Sequence, residues 1–194
     1  MDQRTTLIIG IVVIAIIVVI AALLIERKRR SDRLRQQFGP EYDRTLRQHG
    51  DARQAEAVLL EREKRVEKFS IRPLSPTDRE RFASEWADVQ KRFVDDPSLA
   101  VTQAEKLVTT VMVARGYPMG DFEQRAADIS VNYPAIVQNY RSAREITVRH
   151  AQGQSSTEDL RQSMVYFRSL FDELLATAKN PHATIGVSHE RIAS

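Results

Sequence analysis

An uninterrupted apolar run, Leu7 to Ile25, constrains this chain more than any other feature. It holds no charge over about 19 residues, enough at ~1.5 Å per residue to match a hydrocarbon core of roughly 30 Å. The sequence therefore predicts a transmembrane helix over 7–25, because amides in lipid must be satisfied within their own segment. Gly10 is the only glycine in the run, so no GxxxG contact face is written there. A cleaved leader fits poorly. Its apolar region runs to roughly 7–15 residues and ends in small residues, whereas this one ends Leu23-Leu24-Ile25-Glu26-Arg27.

The flanks predict an orientation. Before the run stand Arg4 and Asp2; after it come Arg27, Lys28, Arg29, Arg30, Arg33 and Arg35. The positive-inside rule puts the short N-terminus outside and the bulk of the chain in the cytoplasm. The same six basic residues are candidates for contact with a lipid bilayer and its anionic headgroups, at ~1 kcal/mol each near the surface.

The net charge of +3 and the pI near 9.3 would suit a nucleic-acid binder, but the charge is unevenly placed. Residues 26–35 carry about six basic against two acidic groups; 36–69 carry about seven of each, and 70–194 about fifteen basic against sixteen acidic. The excess sits beside the apolar run, so no nucleic-acid partner is expected. With no cysteine, disulfides, thiolate metal sites and cysteine nucleophiles are excluded.

Beyond the run, helix punctuation organises the sequence. Phe38-Gly39-Pro40 stops one helix, and a short turn follows to Gln48. His49-Gly50 breaks it, and Asp51 is placed to cap the next helix. Residues 52–69 form a highly charged helix with a thin stripe of Ala52, Ala55, Leu59, Val66 and Phe69; it reads as a solvated spacer, with a partner-binding helix as the alternative. Ile71-Arg72-Pro73-Leu74-Ser75-Pro76 is the linker. Ser75-Pro76 then starts a helix over about 76–93 whose Phe82, Trp86, Val89 and Phe93 share a face, read as bundle core. Asp96-Pro97 starts a second, to about 115, with Gly116 at the left-handed position beyond its end. Asp121 to Gln124 resembles a capping box over a short helix. Helices at about 134–150 and 157–176 follow, the last the most amphipathic. No strand signal occurs.

Chemistry is sparsely written. Asp95-Asp96 reads as capping; Asp121, Glu123 and Asp128 lack EF-hand spacing; His150 ends a helix where its cationic form suits the dipole. No phosphate loop, nucleophile elbow or paired Glu-x-x-His repeat is present. No catalytic, metal or cofactor-binding residue is assigned, and no cofactor is expected.

Five segments carry a resemblance: Phe38-Gly39-Pro40-Glu41-Tyr42-Asp43-Arg44, Arg72-Pro73-Leu74-Ser75-Pro76, Arg92-Phe93-Val94-Asp95-Asp96-Pro97, Arg115-Gly116-Tyr117-Pro118 and Arg125-Ala126-Ala127-Asp128-Ile129-Ser130. Over Phe38 to Leu175 the chain resembles uncharacterised bacterial proteins with one N-terminal membrane segment and a helical soluble domain. The resemblance implies that architecture and a bacterial envelope location, and no activity; with the orientation above, the expected place is the bacterial inner membrane.

The expected layout is all-α: a tail at 1–6, the transmembrane helix at 7–25, and a basic juxtamembrane segment with the charged spacer at 26–70. A bundle of four longer helices plus one short helix follows at 71–178, then a disordered tail at 179–194. The expected function is a single-pass, non-enzymatic protein-interaction or scaffold module with an unknown protein partner; the alternative is a small-ligand sensor or enzyme with an interhelical pocket. Candidate partner contacts are Tyr117, Tyr133, Arg141 and Arg144.

Overall fold

The computed structural model describes residues 3–176, with side chains described from Val12 onward. The expected disordered tail, 179–194, lies outside the described residues. The described chain is all-helical, with α1 Gln3–Phe38, α2 Pro40–His49, α3 Ala52–Val66, α4 Pro76–Asp95, α5 Pro97–Ala114, α6 Phe122–Asn132, α7 Val137–Ala151 and α8 Thr157–Ala176. It divides into two compact units, with the division between Leu59 and Leu60, inside α3.

The structure does not support the transmembrane helix expected over 7–25. Among the described residues no helix is long and apolar enough to cross a membrane. The described apolar side chains of α1 run from Val12 to Ile25. The side chains of Leu7 to Ile11, which lengthen the run in the sequence, lie outside the described residues. Beyond Ile25 the helix continues through the charged stretch from Glu26 to Phe38. The single-pass membrane placement, with the N-terminus outside and the bulk of the chain in the cytoplasm, falls with that helix. The larger apolar side chains between Val12 and Ile25 are exposed, from 48% at Val13 to 64% at Ile14.

In the first unit α1 packs on α2. Gly39, at φ 47°, makes the turn between them and Pro40 opens α2, as the sequence predicts. Leu34, Phe38, Tyr42, Thr45, Ala55 and Leu59 are buried. The Tyr42 hydroxyl donates to Glu56 Oε1 at 3.0 Å, giving a buried polar group its partner.

The second unit is the helical bundle. α4 packs on α5, α5 on α8, and α7 on α8, with α6 against α7. Its core runs through Phe82, Trp86, Val108, Met112, Ile129, Tyr140, Phe167, Phe171 and Leu174. The caps stand where the sequence puts them. Ser75 accepts from the Asp78 amide at 3.0 Å, Asp96 from Leu99 at 2.9 Å and Asp121 from Gln124 at 2.8 Å. The Asp121 box is half closed, because the Gln124 side chain donates to Asp128 Oδ1 at 2.8 Å instead of reaching back.

The end of α5 holds the segment read as a linker. The Gly116 amide donates to the Val113 carbonyl at 2.9 Å and the Tyr117 amide to the Met112 carbonyl at 3.0 Å, the paired bonds of a Schellman close. Gly116 has φ 99°, and a Cβ there would run into the Ser70 carbonyl oxygen. The Arg72 amide donates to the Arg115 carbonyl at 2.9 Å, so the proline-rich segment is fastened to the bundle. The Arg115 side chain is itself buried and donates from Nη1 to the Leu174 carbonyl at 2.7 Å, satisfying an end carbonyl of α8.

The far end of α3 is also tied down. Arg65 Nε donates to Asp128 Oδ1 at 3.0 Å, and Arg62 Nη1 to Ser130 Oγ at 3.4 Å. The solvated-spacer reading therefore needs revising for its last turns. A stripe interrupted by arginine still docks when the arginines find buried acceptors on α6.

Candidate functional site

α4 and α8 both pack on α5, and between their outer faces lies a furrow of about 300 Å³. Its walls come from the amphipathic patterns of the two helices. On α4, Trp86 and Phe93 lie seven residues apart on one stripe. Trp86 is buried, while Phe93, a turn from the helix end, is only partly covered and faces the furrow. On α8, Met164 and Val165 line it, Met164 buried and Val165 48% exposed.

Side chains bridge the two helices at its base. The Trp86 indole stacks on Phe171, centroids 4.6 Å apart and planes at 26°. The Arg168 guanidinium lies 5.9 Å from the Trp86 ring centroid and donates from Nη1 to Gln90 Oε1 at 3.0 Å. The Trp86 Nε1–H meets no acceptor among the described residues. Two arginines edge the furrow, and each is paired along its own helix. Arg168 Nε donates to Asp172 Oδ2 at 2.9 Å, and Arg161 Nη2 to Glu158 Oε1 at 2.6 Å. All four side chains are about half exposed or more.

Two other depressions are lined by side chains already engaged elsewhere. One, about 470 Å³, lies on α5 toward α7 and is crossed by the Arg144–Glu105 pair at 2.9 and 3.1 Å. Its threonines are committed to their own helix: Thr109 donates to the Glu105 carbonyl and Thr110 to the Lys106 carbonyl. The other, about 530 Å³ at the α4–α5 corner, is edged by Asp88, Lys91, Asp95 and Asp96, and Asp96 is engaged as a cap.

The residues singled out from sequence are scattered. Tyr117 is buried, its hydroxyl accepting from Asn132 Nδ2 at 2.7 Å, and burial pushes its ionisation well above the ordinary range. Tyr133 is buried too. Arg141 donates to Glu123 Oε2 at 2.8 Å and ties α7 to α6; Arg144 ties α7 to α5. Arg27, Lys28, Arg29, Arg30, Arg33 and Arg35 are exposed along α1, with the Arg35 guanidinium 5.1 Å from the Tyr42 ring centroid. Asp95 and Asp96 bracket the α4–α5 corner, as capping predicts.

Two polar clusters hold titratable groups. Asp128 is a buried carboxylate, raised above its ordinary ionisation by burial, against which Gln124 and Arg65 act. It fastens α3 to α6. His150 bridges two serines, with Nε2 2.8 Å from Ser98 Oγ and Nδ1 3.0 Å from Ser155 Oγ. A serine–histidine pair used for nucleophilic attack needs a third group that stabilises the imidazolium. Here the third group is a neutral hydroxyl, and none of the three depressions includes Ser98 or His150. The contact joins the starts of α5 and α8 to the end of α7. Among the described residues no group of three or more His, Cys, Asp or Glu side chains is arranged to hold a metal ion.

Sequence reasoning missed the furrow because it assigned Trp86 and Phe93 alike to the core. The stripe continues evenly to Phe93, so no signal along α4 marks where the neighbouring helix stops covering it. No protein-family model matches the chain, and no curated protein or solved structure matches it.

Proposed function

We propose that this chain is a non-enzymatic protein-interaction module whose working surface is the α4/α8 furrow, and that its occupant is the apolar face of a partner helix. One observation carries this reading: an open apolar trough lies between two helices of 20 residues each, floored by a stacked tryptophan and edged by arginines. A trough between two helices receives the side-chain ridge of a third, in the same way that bundles assemble. Tryptophan and arginine are also the residues most enriched where binding energy concentrates.

Trp86 is the chain's single tryptophan, so its fluorescence reports the furrow directly. The test titrates the full chain with a synthetic amphipathic helix carrying leucines at helical spacing and glutamines elsewhere. A saturable shift in Trp86 emission, lost in Val165→Asp with the helical circular dichroism unchanged, supports the module. Saturation by a small apolar probe such as benzyl alcohol, with no response to the peptide, turns the reading to a small-ligand pocket.

A further inference from the structure

We propose that the furrow selects a helix bearing two acidic residues seven positions apart, with apolar residues midway between them; this rests on the furrow being a helix-docking surface. The recognition pattern is written along α8. From Arg161 to Arg168 the sequence reads Arg-Gln-Ser-Met-Val-Tyr-Phe-Arg. Seven residues are nearly two helical turns, so the two arginines share a face about 10.5 Å apart. Met164 and Val165 lie between them and line the furrow with them. The lip is therefore basic, apolar, apolar, basic. A partner helix lying along α8 has the same pitch, and its matching surface is acidic, apolar, apolar, acidic.

Both arginines already hold carboxylates on their own helix, and the exposure of those pairs decides the issue. Arg161–Glu158 and Arg168–Asp172 are spaced three and four residues apart, with side chains 44–68% exposed. Such pairs are worth roughly 0–1 kcal/mol, so exchanging or sharing them costs little. A partner carboxylate brought to the same guanidinium by apolar docking is better shielded from water, and its charge-assisted bonds are correspondingly stronger. Arg168 is also held in place from α4 by Gln90, which pre-positions it at the furrow edge. A partner helix with lysine at those positions meets arginine across the lip and is rejected by like charge.

The test uses the full chain and three peptides of one length and matched helicity, each with a central Leu-Leu. Its two flanking positions, seven apart, carry Glu in the first, Gln in the second and Lys in the third. Trp86 emission is the readout. The Glu peptide is expected to bind about tenfold tighter than the Gln peptide, and the Lys peptide weakest. That preference is expected to vanish in Arg161→Gln/Arg168→Gln and to shrink in about 0.5 M salt, where exposed charges are screened. Equal affinity for the Glu and Gln peptides overturns the acidic pattern and leaves the furrow as a docking surface. Absence of binding by all three overturns both.

Discussion

Trp86 of α4 and Phe171 of α8 stack at 4.6 Å, a contact between residues 85 positions apart that closes the base of the furrow. Phe171 is 2% exposed. Truncating it to alanine removes the ring on which the indole rests and leaves a cavity, at a cost of about 3–5 kcal/mol. Phe171→Ala is expected to lower the urea midpoint and to shift Trp86 emission to the red before unfolding, as water reaches the indole.

Gly116 allows the close approach of the Ser70 backbone, and its positive φ adds a second demand. Gly153 has a similar positive φ of 72° but nothing within 4 Å of a built Cβ. Comparing alanine at the two sites separates strain from collision. Gly153→Ala is expected to lose about 1 kcal/mol from the backbone conformation alone, and Gly116→Ala distinctly more. Equal losses in chemical denaturation would refute the packing role given to Ser70.

Asp128 sets a pH dependence of opposite sign to the usual carboxylate. Burial raises its ionisation above the ordinary value of 3.8, so the folded chain takes up that proton more readily than the unfolded one. Its contribution favours the fold at low pH and is lost as pH rises through the native value. Asp128→Asn, which keeps an acceptor for Gln124 and Arg65, is expected to be more stable than the parent at pH 7. The gap should close below pH 3.8, where the aspartate is protonated in both states. Urea titrations at the two pH values check it.

Asp159 behaves in the ordinary direction. The Ser156 amide and hydroxyl both donate to it at 2.8 Å and hold its ionisation below 3.8. That stabilisation is present above the unfolded value and is lost as pH falls through the lower native one. Amides in the first turn of α8 are expected to lose hydrogen-exchange protection at the acid end of this range before those near Phe167 do. Simultaneous loss would refute a local cap.

Local chemistry made much of this fold readable. Ser75, Asp96, Asp121 and Gly116 mark helix ends because the groups they satisfy lie within four residues, and the structure finds each of them in that role. The start of α7 was harder. Its N-cap, Ile136, offers no side-chain acceptor, so the helix begins at Val137 rather than near 134. Long-range partners were out of reach. Nothing near Arg65 announces Asp128, and nothing near Trp86 announces Phe171. Periodicity shows which face of a helix is apolar; where a neighbour stops covering that face depends on residues far along the chain. The furrow exists because of that difference. The apolar run of α1 shows a related limit: hydropathy reads residue type along a line, and the expected span did not survive in the described helix.

The buried guanidinium of Arg115 gives the bundle an order of completion. Its acceptor, the Leu174 carbonyl, arrives 59 residues later in the chain. During synthesis α4 and α5 are made well before that oxygen exists, so this bond forms only once α8 comes down beside α5. The final helix is thus the keystone of the second unit. A nascent chain cut short of Leu174 would lack the oxygen that receives Arg115 Nη1 across the α5–α8 seam.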